Sequence, residues 1–367
     1  MKSQRRLVLL NPGPVTLTDR VRAALTEGDW CHREPEFAAL VQDINRRLAG
    51  VYPDMADRFQ AVTLAGSGTS AVEAMLATFA PDHATTLVIS NGVYGERIAR
   101  MLEAHGKPHQ VLSHGWTEAI DIPRVRRQLE QEAAITHVVV VHHETTTGRL
   151  NDLHRLGALC RELGKTLLLD AVSSFGAERI DAEAWQLGAL AGTANKCLHG
   201  VPGLSFVLAR DTLWAAPANR TAGVYLDLRP YHAGQHRDGF SPFTLPVQVA
   251  FALREALMEH ADGGGTAARR QLYGTRAGTI GATLRASGVE PLLPEADYST
   301  VLWSWRLPAG HGYQRLHAAL KEEGFIIYAG QGDLGAQIFR IAHMGDIRED
   351  DLERLCAALV RILGKAP

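Results

Sequence analysis

Residues 137–141 read His-Val-Val-Val-Val, a nearly continuous run of β-branched side chains. A strand with one face in water alternates apolar and polar residues, whereas a strand buried on both faces is apolar throughout. The run therefore predicts a strand inside a mainly parallel sheet that has helices on both faces.

Other short apolar runs alternate with amphipathic stretches on either side of this one. We expect strands at residues 61–65, 85–90, 166–170 and 204–209, and helices at residues 69–79, 94–105 and 153–163. This alternation of strands and helices is typical of an α/β fold built on a parallel sheet.

The pattern changes after the last of these strands. Glycine, proline and aromatic residues prevail at 217–246, and helical periodicity returns beyond that stretch. We expect helices at 245–260, 264–288, 313–324 and 349–363, and strands at 299–305 and 337–342. We interpret this as an N-terminal segment at 1–20 that packs on the small domain or a partner subunit, a large α/β domain at 21–260, and a small α+β domain at 261–367.

The composition indicates a globular protein without a nucleic-acid partner. Of 367 residues 46% are hydrophobic, which suffices for a sizeable core, and 38 basic residues nearly balance 40 acidic ones. Acids and bases are interspersed, so we expect no basic face for nucleic acid. The apolar run near the N-terminus is too short for a signal peptide, and no run approaches the roughly 18 residues of a membrane span. We expect a cytoplasmic protein without membrane contact.

The cysteines do not form a recognisable ligand or disulfide pattern. They lie at positions 31, 160, 197 and 356, and no pair has the Cys-x-x-Cys spacing of zinc sites. We therefore expect neither a bound metal nor a disulfide framework.

Polar residues follow several predicted strands, where open parallel sheets place their active sites. Gly66-Ser-Gly-Thr-Ser70 follows the strand at 61–65 and opens a helix. Its glycines let the backbone approach an anion, and a helix N-terminus offers free N–H groups. The same residues also suit simple helix capping. The loop at 142–148 reads HHETTTG, which fits either a polar site or an ordinary turn.

Asp170 and Lys196 are the two ionisable residues that stand out. Asp170 ends the apolar run TLLL, where it can cap a helix or pair with a protonated ring nitrogen. Lys196 lies in GTANKCLHGVPG, at residues 192–203, before another apolar run. Shelter from water lowers the pKa of a lysine, and a neutral amine is a nucleophile that can form a Schiff base. The alternative is an ammonium that reaches solvent.

The order of these features along the chain favours a single cofactor site over the structural interpretations of each feature alone. A phosphate site, a strand-end aspartate and a sheltered lysine on successive strand ends are what pyridoxal phosphate (PLP) needs. The phosphate binds a helix N-terminus, the aspartate keeps the pyridine nitrogen protonated, and the lysine holds the aldehyde.

With these residues the sequence resembles the class V aminotransferases of fold type I, and within them most the 2-aminoethylphosphonate–pyruvate transaminase family. The resemblance covers essentially the whole chain. Its motifs are NPGPV at 11–15, CHREPEF at 31–37, GSGTSAVEA at 66–74, SNGVYGER at 90–97, HHETTTG at 142–148, DAVSSFG at 170–176, ANKCLHGVPG at 194–203 and FRI at 339–341. ETTTG and ANKC–GVPG are the more specific motifs, whereas NPGP, HRxPEF and GSGT are shared with alanine–glyoxylate and serine–glyoxylate enzymes.

The resemblance implies a PLP enzyme with catalytic residues Lys196 and Asp170. Lys196 binds the cofactor and moves the substrate proton, and Asp170 pairs with the pyridine nitrogen. The other implied cofactor residues are Ser67, Gly68 and Thr69 at the phosphate, Tyr94 and Val172 on the two faces of the ring, Thr146 near the ring hydroxyl, Asn195 near the phosphate, and Thr244 at the phosphate of a neighbouring subunit. This last role implies a homodimer with active sites at the subunit interface.

Gly13 and Arg340 are implied on the substrate side. Arg340 lies in the predicted strand IFRIA, where an arginine suits either an exposed strand face or an anion site. A guanidinium binds a carboxylate or a phosphonate with two N–H groups. The implied reaction moves the amino group of 2-aminoethylphosphonate to pyruvate, giving phosphonoacetaldehyde and L-alanine in ping-pong order.

Two other activities remain open at this stage. One is transamination of alanine or serine with glyoxylate or pyruvate. The other is a lyase of the cysteine desulfurase type, which needs a mobile cysteine, whereas Cys356 lies in a predicted helix. His32 and Arg33 either line the substrate entrance or, as we favour, stabilise the predicted helix at 35–48, and His142 is given no chemical role.

Overall fold

The run at 137–141 lies in a strand that spans Ile135–Val141 in the computed structural model, which describes residues 6–221 and 223–364. Within these residues the strands are β1 Val8–Leu9, β2 Phe59–Gly66, β3 Thr85–Ser90, β4 His109–Ser113, β5 Ile135–Val141, β6 His143–Glu144, β7 Arg149–Leu150, β8 Thr166–Asp170, β9 Leu187–Thr193, β10 Gly203–Arg210, β11 Leu302–Arg306, β12 Phe325–Ile326, β13 Tyr328–Ala329 and β14 Ile338–Ala342.

The helices of the described residues surround these strands. They are α1 Asp19–Ala24, α2 Pro35–Ala49, α3 Gly68–Phe79, α4 Val93–Ala104, α5 Ile122–Gln131, α6 Leu153–Glu162, α7 Asp211–Ala215, α8 Leu228–Arg237, α9 Val247–Asp262, α10 Gly265–Ala286, α11 Tyr313–Glu322 and α12 Glu349–Leu363, with short 3₁₀ turns at Glu295–Asp297 and Gly332–Leu334.

The central sheet has seven strands in the order β2–β10–β9–β8–β5–β3–β4. Its neighbours pair in parallel from β9 to β4, whereas β10 is antiparallel to both β9 and β2. The mainly parallel α/β fold predicted from the sequence is therefore confirmed. Because β2 and β9 both oppose β10, they run in the same direction as the parallel strands.

Strand β5 shows why its sequence does not alternate. Val138 and Val140 belong to the core that helices α2, α5, α6 and α9 form with one face of the sheet. Val139 and Val141 belong to the core on the other face, under α3, α4 and α8. Each face of the strand is covered, so apolar residues are favoured at every position.

The C-terminal part has its own antiparallel sheet, in the order β11–β14–β13. Its core includes Trp305, Phe339 and Leu355, all fully buried. The N-terminal strand β1 joins this part by pairing in parallel with β12. Every helix within residues 6–221 and 223–364 is too short or too polar to cross a membrane.

Several elements differ from the sequence-based expectation. Helix α8 lies inside the stretch at 217–246, for which the sequence predicted no helix. The Asp227 side chain caps this helix by accepting the Arg229 N–H at 3.0 Å. Pro230 lies in its first turn, where proline is tolerated. Strands β4 and β9 and helix α5 were not predicted. Strand β11 begins three residues later than expected, because Ser299 and Thr300 bind the buried Glu178 carboxylate instead.

A truncation in the central sheet tests this architecture. Leu168, in β8, is fully buried, whereas Val111, on the edge strand β4, is 45% exposed. We expect Leu168→Ala to lower the free energy of unfolding by about 2–5 kcal/mol, because it leaves a cavity in the core. Val111→Ala is the control and should change it by less than about 0.5 kcal/mol. Chemical denaturation followed by circular dichroism measures both, and equal midpoints for the two variants would contradict the buried position of β8.

Candidate active site

Strands β2, β5, β8 and β9 point their carboxyl ends to the same edge of the sheet. The polar segments singled out in the sequence each follow one of these strands. The Gly66–Ser70 segment follows β2, the ETTTG loop follows β5, Asp170 ends β8, and Lys196 follows β9. The topology therefore gathers residues that are far apart in the sequence.

A cavity at this edge is lined by five of the predicted cofactor residues. They are Gly68, Thr69, Tyr94, Asp170 and Val172. Gly68 permits the close approach of the walls, because a Cβ at this position would lie 2.6 Å from Cγ1 of Val172. The cavity is therefore narrow at Gly68, and its lining includes the carboxyl group of Asp170.

The N-terminus of α3 opens into this cavity. Ser67 precedes the helix, yet its side chain makes no capping bond. Gly66 has φ +147°, a conformation that favours glycine, and Ser70 Oγ donates to Ser67 O at 2.6 Å. The geometry supports the anion site over simple capping by Ser67, because the first N–H groups of the helix are left for a ligand.

Asp170 is buried at the end of β8. Its Oδ1 accepts the N–H of Val172 at 3.0 Å. Burial raises the pKa of the Asp170 carboxyl to about 6, while the Val172 N–H and the charges of Lys196 and Arg97 lower it. A further positive charge in the cavity would keep this carboxylate ionised, which is what a protonated ring nitrogen provides.

Lys196 is half-buried and its amine is held in place. Nζ donates to the carbonyl of Pro12, and the side chain crosses Gly13, where a Cβ would lie 2.7 Å from Cδ of the lysine. Burial lowers the pKa of Lys196 to about 8; Asp170 opposes this shift and Arg340 adds to it. An appreciable fraction of the amine is therefore neutral near physiological pH.

Arg340 is buried rather than exposed on a strand face. Only 1% of the residue is exposed, and desolvation lowers its pKa. Nε donates to Ala329 O at 2.8 Å, and one terminal nitrogen donates to Thr145 O at 2.7 Å and Gln331 Oε1 at 3.3 Å. The other terminal nitrogen is buried and has no hydrogen-bond partner among the described residues. A buried N–H₂ without a partner is costly, and an anionic ligand would satisfy it.

Thr146 and Asn195 make polar contacts near the same edge. Thr146 Oγ1 accepts the N–H of Val93 at 3.1 Å, at the start of α4, and Asn195 Oδ1 accepts from Thr193 Oγ1 at 2.8 Å. Thr244, in contrast, is exposed on the surface, where its Oγ1 lies 3.2 Å from Nε2 of His32. The single chain does not bring Thr244 to the cavity.

His142 and Arg33 make structural contacts. His142 is buried, its Nδ1 lies 3.0 Å from Ser174 Oγ, and its ring packs edge-on against Trp185. Burial lowers the pKa of His142 to about 4, so the ring is neutral. Arg33 donates to Ser241 O at 2.9 Å and thereby ties the start of α2 to the segment before Thr244.

Two residues at the site were not identified from the sequence. Arg97 lies over the ring of Tyr94, with 4.8 Å between the guanidinium carbon and the ring centroid, and donates to Thr69 Oγ1 at 3.3 Å. Its spacing of three residues from Tyr94 on one helix was the available signal. Glu144, the first residue of ETTTG, is fully buried beside Thr146. The residues around Glu144 in the sequence do not indicate that it contacts Thr146.

Comparison with known proteins identifies the family. The sequence model described as aminotransferase class-V matches residues 66–331. The chain belongs to the class V aminotransferases. The prediction of the family made from the sequence is thus confirmed, and the cofactor of this family is PLP.

Individual relatives extend over nearly the full length of this class V aminotransferase. The chain is 39% identical over 354 residues to a 2-aminoethylphosphonate–pyruvate transaminase from Syntrophobacter fumaroxidans, covering 96% of this chain and 95% of the relative. It is 35% identical to a protein of the same name from Bacillus mycoides, covering 98% of each chain. The crystal structure of an alanine–glyoxylate aminotransferase from Nostoc sp. superposes with a TM-score of 0.89 at 26% identity, covering 98% of this chain and 96% of the other. The predicted PLP-transferase fold is confirmed.

The residues at this edge of the sheet fit PLP. An uncapped helix N-terminus suits its phosphate, a buried carboxylate with a raised pKa suits its ring nitrogen, and an amine with a lowered pKa suits its aldehyde. Among the described residues no group of three or more histidine, cysteine, aspartate and glutamate side chains is arranged to bind a metal ion.

The pKa of Lys196 gives a prediction about cofactor attachment. Only the neutral amine reacts, so we expect the rate of covalent PLP binding to the apoprotein to rise with pH and to level off above about 8. A free lysine derivative, with a pKa of about 10.4, should show the same rise at higher pH. Visible absorbance after mixing measures both rates, and Lys196→Ala gives the blank. A profile that coincides with that of the free amine would show that the protein does not shift this pKa.

Proposed function

We propose that this class V aminotransferase transfers the amino group of 2-aminoethylphosphonate to pyruvate, giving phosphonoacetaldehyde and L-alanine. The observation that supports it most is the buried N–H₂ of Arg340 without a partner, beside a site built for an amine reaction. Both substrates carry an anion close to the reacting carbon, and they use the site in turn. Relatives at 35% and 39% identity carry the name of this activity.

The cofactor would be held by residues at this edge of the sheet, several of which line the cavity. Ser67, Gly68 and Thr69 bind its phosphate at the N-terminus of α3. Asp170 would pair with the ring nitrogen, and Tyr94 and Val172 would hold the ring. Bound there, PLP supplies an aldehyde that amines attack and a ring that withdraws electrons from the carbon bearing the amino group.

Lys196 moves the protons of both half-reactions. Its neutral Nζ takes a proton from the amino-bearing carbon of 2-aminoethylphosphonate, and later returns one to the carbon that becomes Cα of alanine. The bond to Pro12 O and the packing on Gly13 fix the position of Nζ. A general base with a pKa near 8 takes and returns protons efficiently close to neutral pH.

The active unit is proposed to be a homodimer. Thr244 is exposed, and His32 and Arg33 tie its segment to the start of α2, so the hydroxyl is presented at the surface. From there it would reach the cofactor phosphate of a second copy. The domain boundaries at residues 20 and 260 remain proposals as well, and the pairing of β1 with β12 supports an N-terminal segment that joins the small domain.

The Nostoc neighbour supports one alternative, in which the acceptor is glyoxylate. A desulfurase is not supported, because Cys356 lies within α12 and not on a loop.

A half-reaction panel tests the substrate. We expect 2-aminoethylphosphonate to convert bound PLP to its amine form faster than L-serine does, and pyruvate to reverse this faster than glyoxylate. Stopped-flow absorbance of the cofactor measures each step. Faster conversion by serine, together with a preference for glyoxylate, would replace the proposed activity by the alternative.

Loss of the anion site should affect both substrates. We expect Arg340→Ala to raise KM for each and to lower kcat/KM by roughly 100-fold, about 2.7 kcal/mol. Arg306→Ala is the control, because Arg306 lies on the neighbouring strand β11 and is exposed. Steady-state kinetics with each substrate varied in turn measures both variants. Unchanged KM values in Arg340→Ala would show that the anions bind elsewhere.

A further inference from the structure

The ETTTG loop, residues 144–148, has a buried carboxyl group at its start that no step above uses. Glu144 is fully buried. Its backbone carbonyl accepts the N–H of Gly148 at 2.9 Å and closes the turn. Its side-chain Oε1 accepts both from the N–H of Thr146, at 3.1 Å, and from Thr146 Oγ1, at 2.6 Å. The carboxyl group therefore fixes the position of Thr146 by two hydrogen bonds.

The same carboxyl group lies against the start of α4. Gly92 is the N-cap of that helix and brings no capping side chain; a Cβ at Gly92 would overlap the Glu144 carboxyl carbon. Thr146 Oγ1, held by Glu144, accepts the N–H of Val93 at 3.1 Å. The next residue is Tyr94, which lines the cofactor cavity. Glu144 thus connects the loop to the helix turn that carries the ring-facing tyrosine, where a helix N-terminus favours an acceptor.

The other end of the connection is the substrate arginine. Thr145 lies between Glu144 and Thr146, and its carbonyl accepts from Arg340 at 2.7 Å. Because both neighbours of Thr145 are fixed by the Glu144 side chain and its turn, the direction of this carbonyl is fixed too. One buried side chain therefore sits between the cofactor wall and the anion site.

We propose that Glu144 is a positioning residue that sets Thr146 and Tyr94 for the cofactor and, through Thr145, the Arg340 guanidinium for the substrate anion. This proposal rests on the proposed roles of Tyr94, Thr146 and Arg340. Burial and the charge of Asp170 raise the pKa of Glu144 to about 7, against the Thr146 hydrogen bonds that lower it. Oε1 accepts the same bonds in the neutral and the charged form, so the geometry, not the charge, does the positioning.

Two variants of Glu144 separate geometry from charge. Glu144→Gln keeps an oxygen that accepts from Thr146, whereas Glu144→Ala removes it. We measure the dissociation constant of PLP from the apoprotein and that of ethylphosphonate, the substrate without its amino group, from the loaded enzyme. We expect Glu144→Ala to raise both by about tenfold or more, the scale of one or two lost hydrogen bonds. Glu144→Gln should stay within about threefold of the natural protein.

Thr147→Val is the matched control. Thr147 is in the same loop and fully buried, and its hydroxyl has no hydrogen-bond partner among the described residues. This variant should leave both dissociation constants unchanged, because it removes no contact of the loop with α4 or Arg340. Gly92→Ala gives an independent route should Glu144→Ala fold poorly: its Cβ displaces the carboxyl group, and both constants should rise.

Three outcomes would overturn the proposal. They are a lowered melting temperature of Glu144→Ala with unchanged ethylphosphonate binding, equal losses in Glu144→Gln and Glu144→Ala, and equal losses in Thr147→Val. Ethylphosphonate binding to Arg340→Ala separates this proposal from the proposed function. If Arg340→Ala binds it normally, the anion site of the proposed function is wrong and so is the Arg340 half of this proposal, while the PLP constants still decide the Thr146 and Tyr94 half.

Discussion

Two opposite charges held out of water at one edge of the sheet determine what this site can do. Burial lowers the pKa of Lys196 to about 8 and raises that of Asp170 to about 6. Each charged form is destabilised by its surroundings and stabilised by the other. The result is an amine that loses its proton easily and a carboxylate that stays ionised once a cation faces it. In water a lysine amine keeps its proton up to a pH of about 10.4, and an aspartate is ionised at neutral pH without a cation beside it.

The pairing of strands in the central sheet fixes the positions of Asp170 and Lys196 relative to each other. Asp170 is the last residue of β8 and Lys196 comes three residues after β9, so their separation follows from the pairing of two adjacent parallel strands. Packing on both faces of the sheet prevents the strands from sliding, since a shift by one residue would exchange the two cores. Rigid strands therefore hold groups whose charges are expensive to bury.

The sequence predicted the strands of the interior well, because burial on both faces leaves a strong apolar signal, as in β5 and β8. It did not show α8, where Pro230 and Gly234 interrupt the periodicity, nor β9, whose residues LGALAGT are mostly small. Asp170 could be singled out because it ends an apolar run, and Lys196 because it lies among small residues and glycines just before one. The partners of Arg340 could not be, because Thr145 is 195 positions away and offers only a backbone carbonyl.

The fixed direction of Arg340 limits how two different anions would share the proposed anion site. Its Nε and one terminal nitrogen are bound to backbone carbonyls, so the plane of the guanidinium cannot turn towards each substrate. The phosphonate of 2-aminoethylphosphonate lies one carbon further from the reacting carbon than the carboxylate of pyruvate does. In the proposed mechanism both reacting carbons must still reach Nζ of Lys196. The extra bond would then be absorbed either by a tilt of the substrate or by movement of β14. Because Thr145 O ties Arg340 to the loop after β5, the structure favours the tilt.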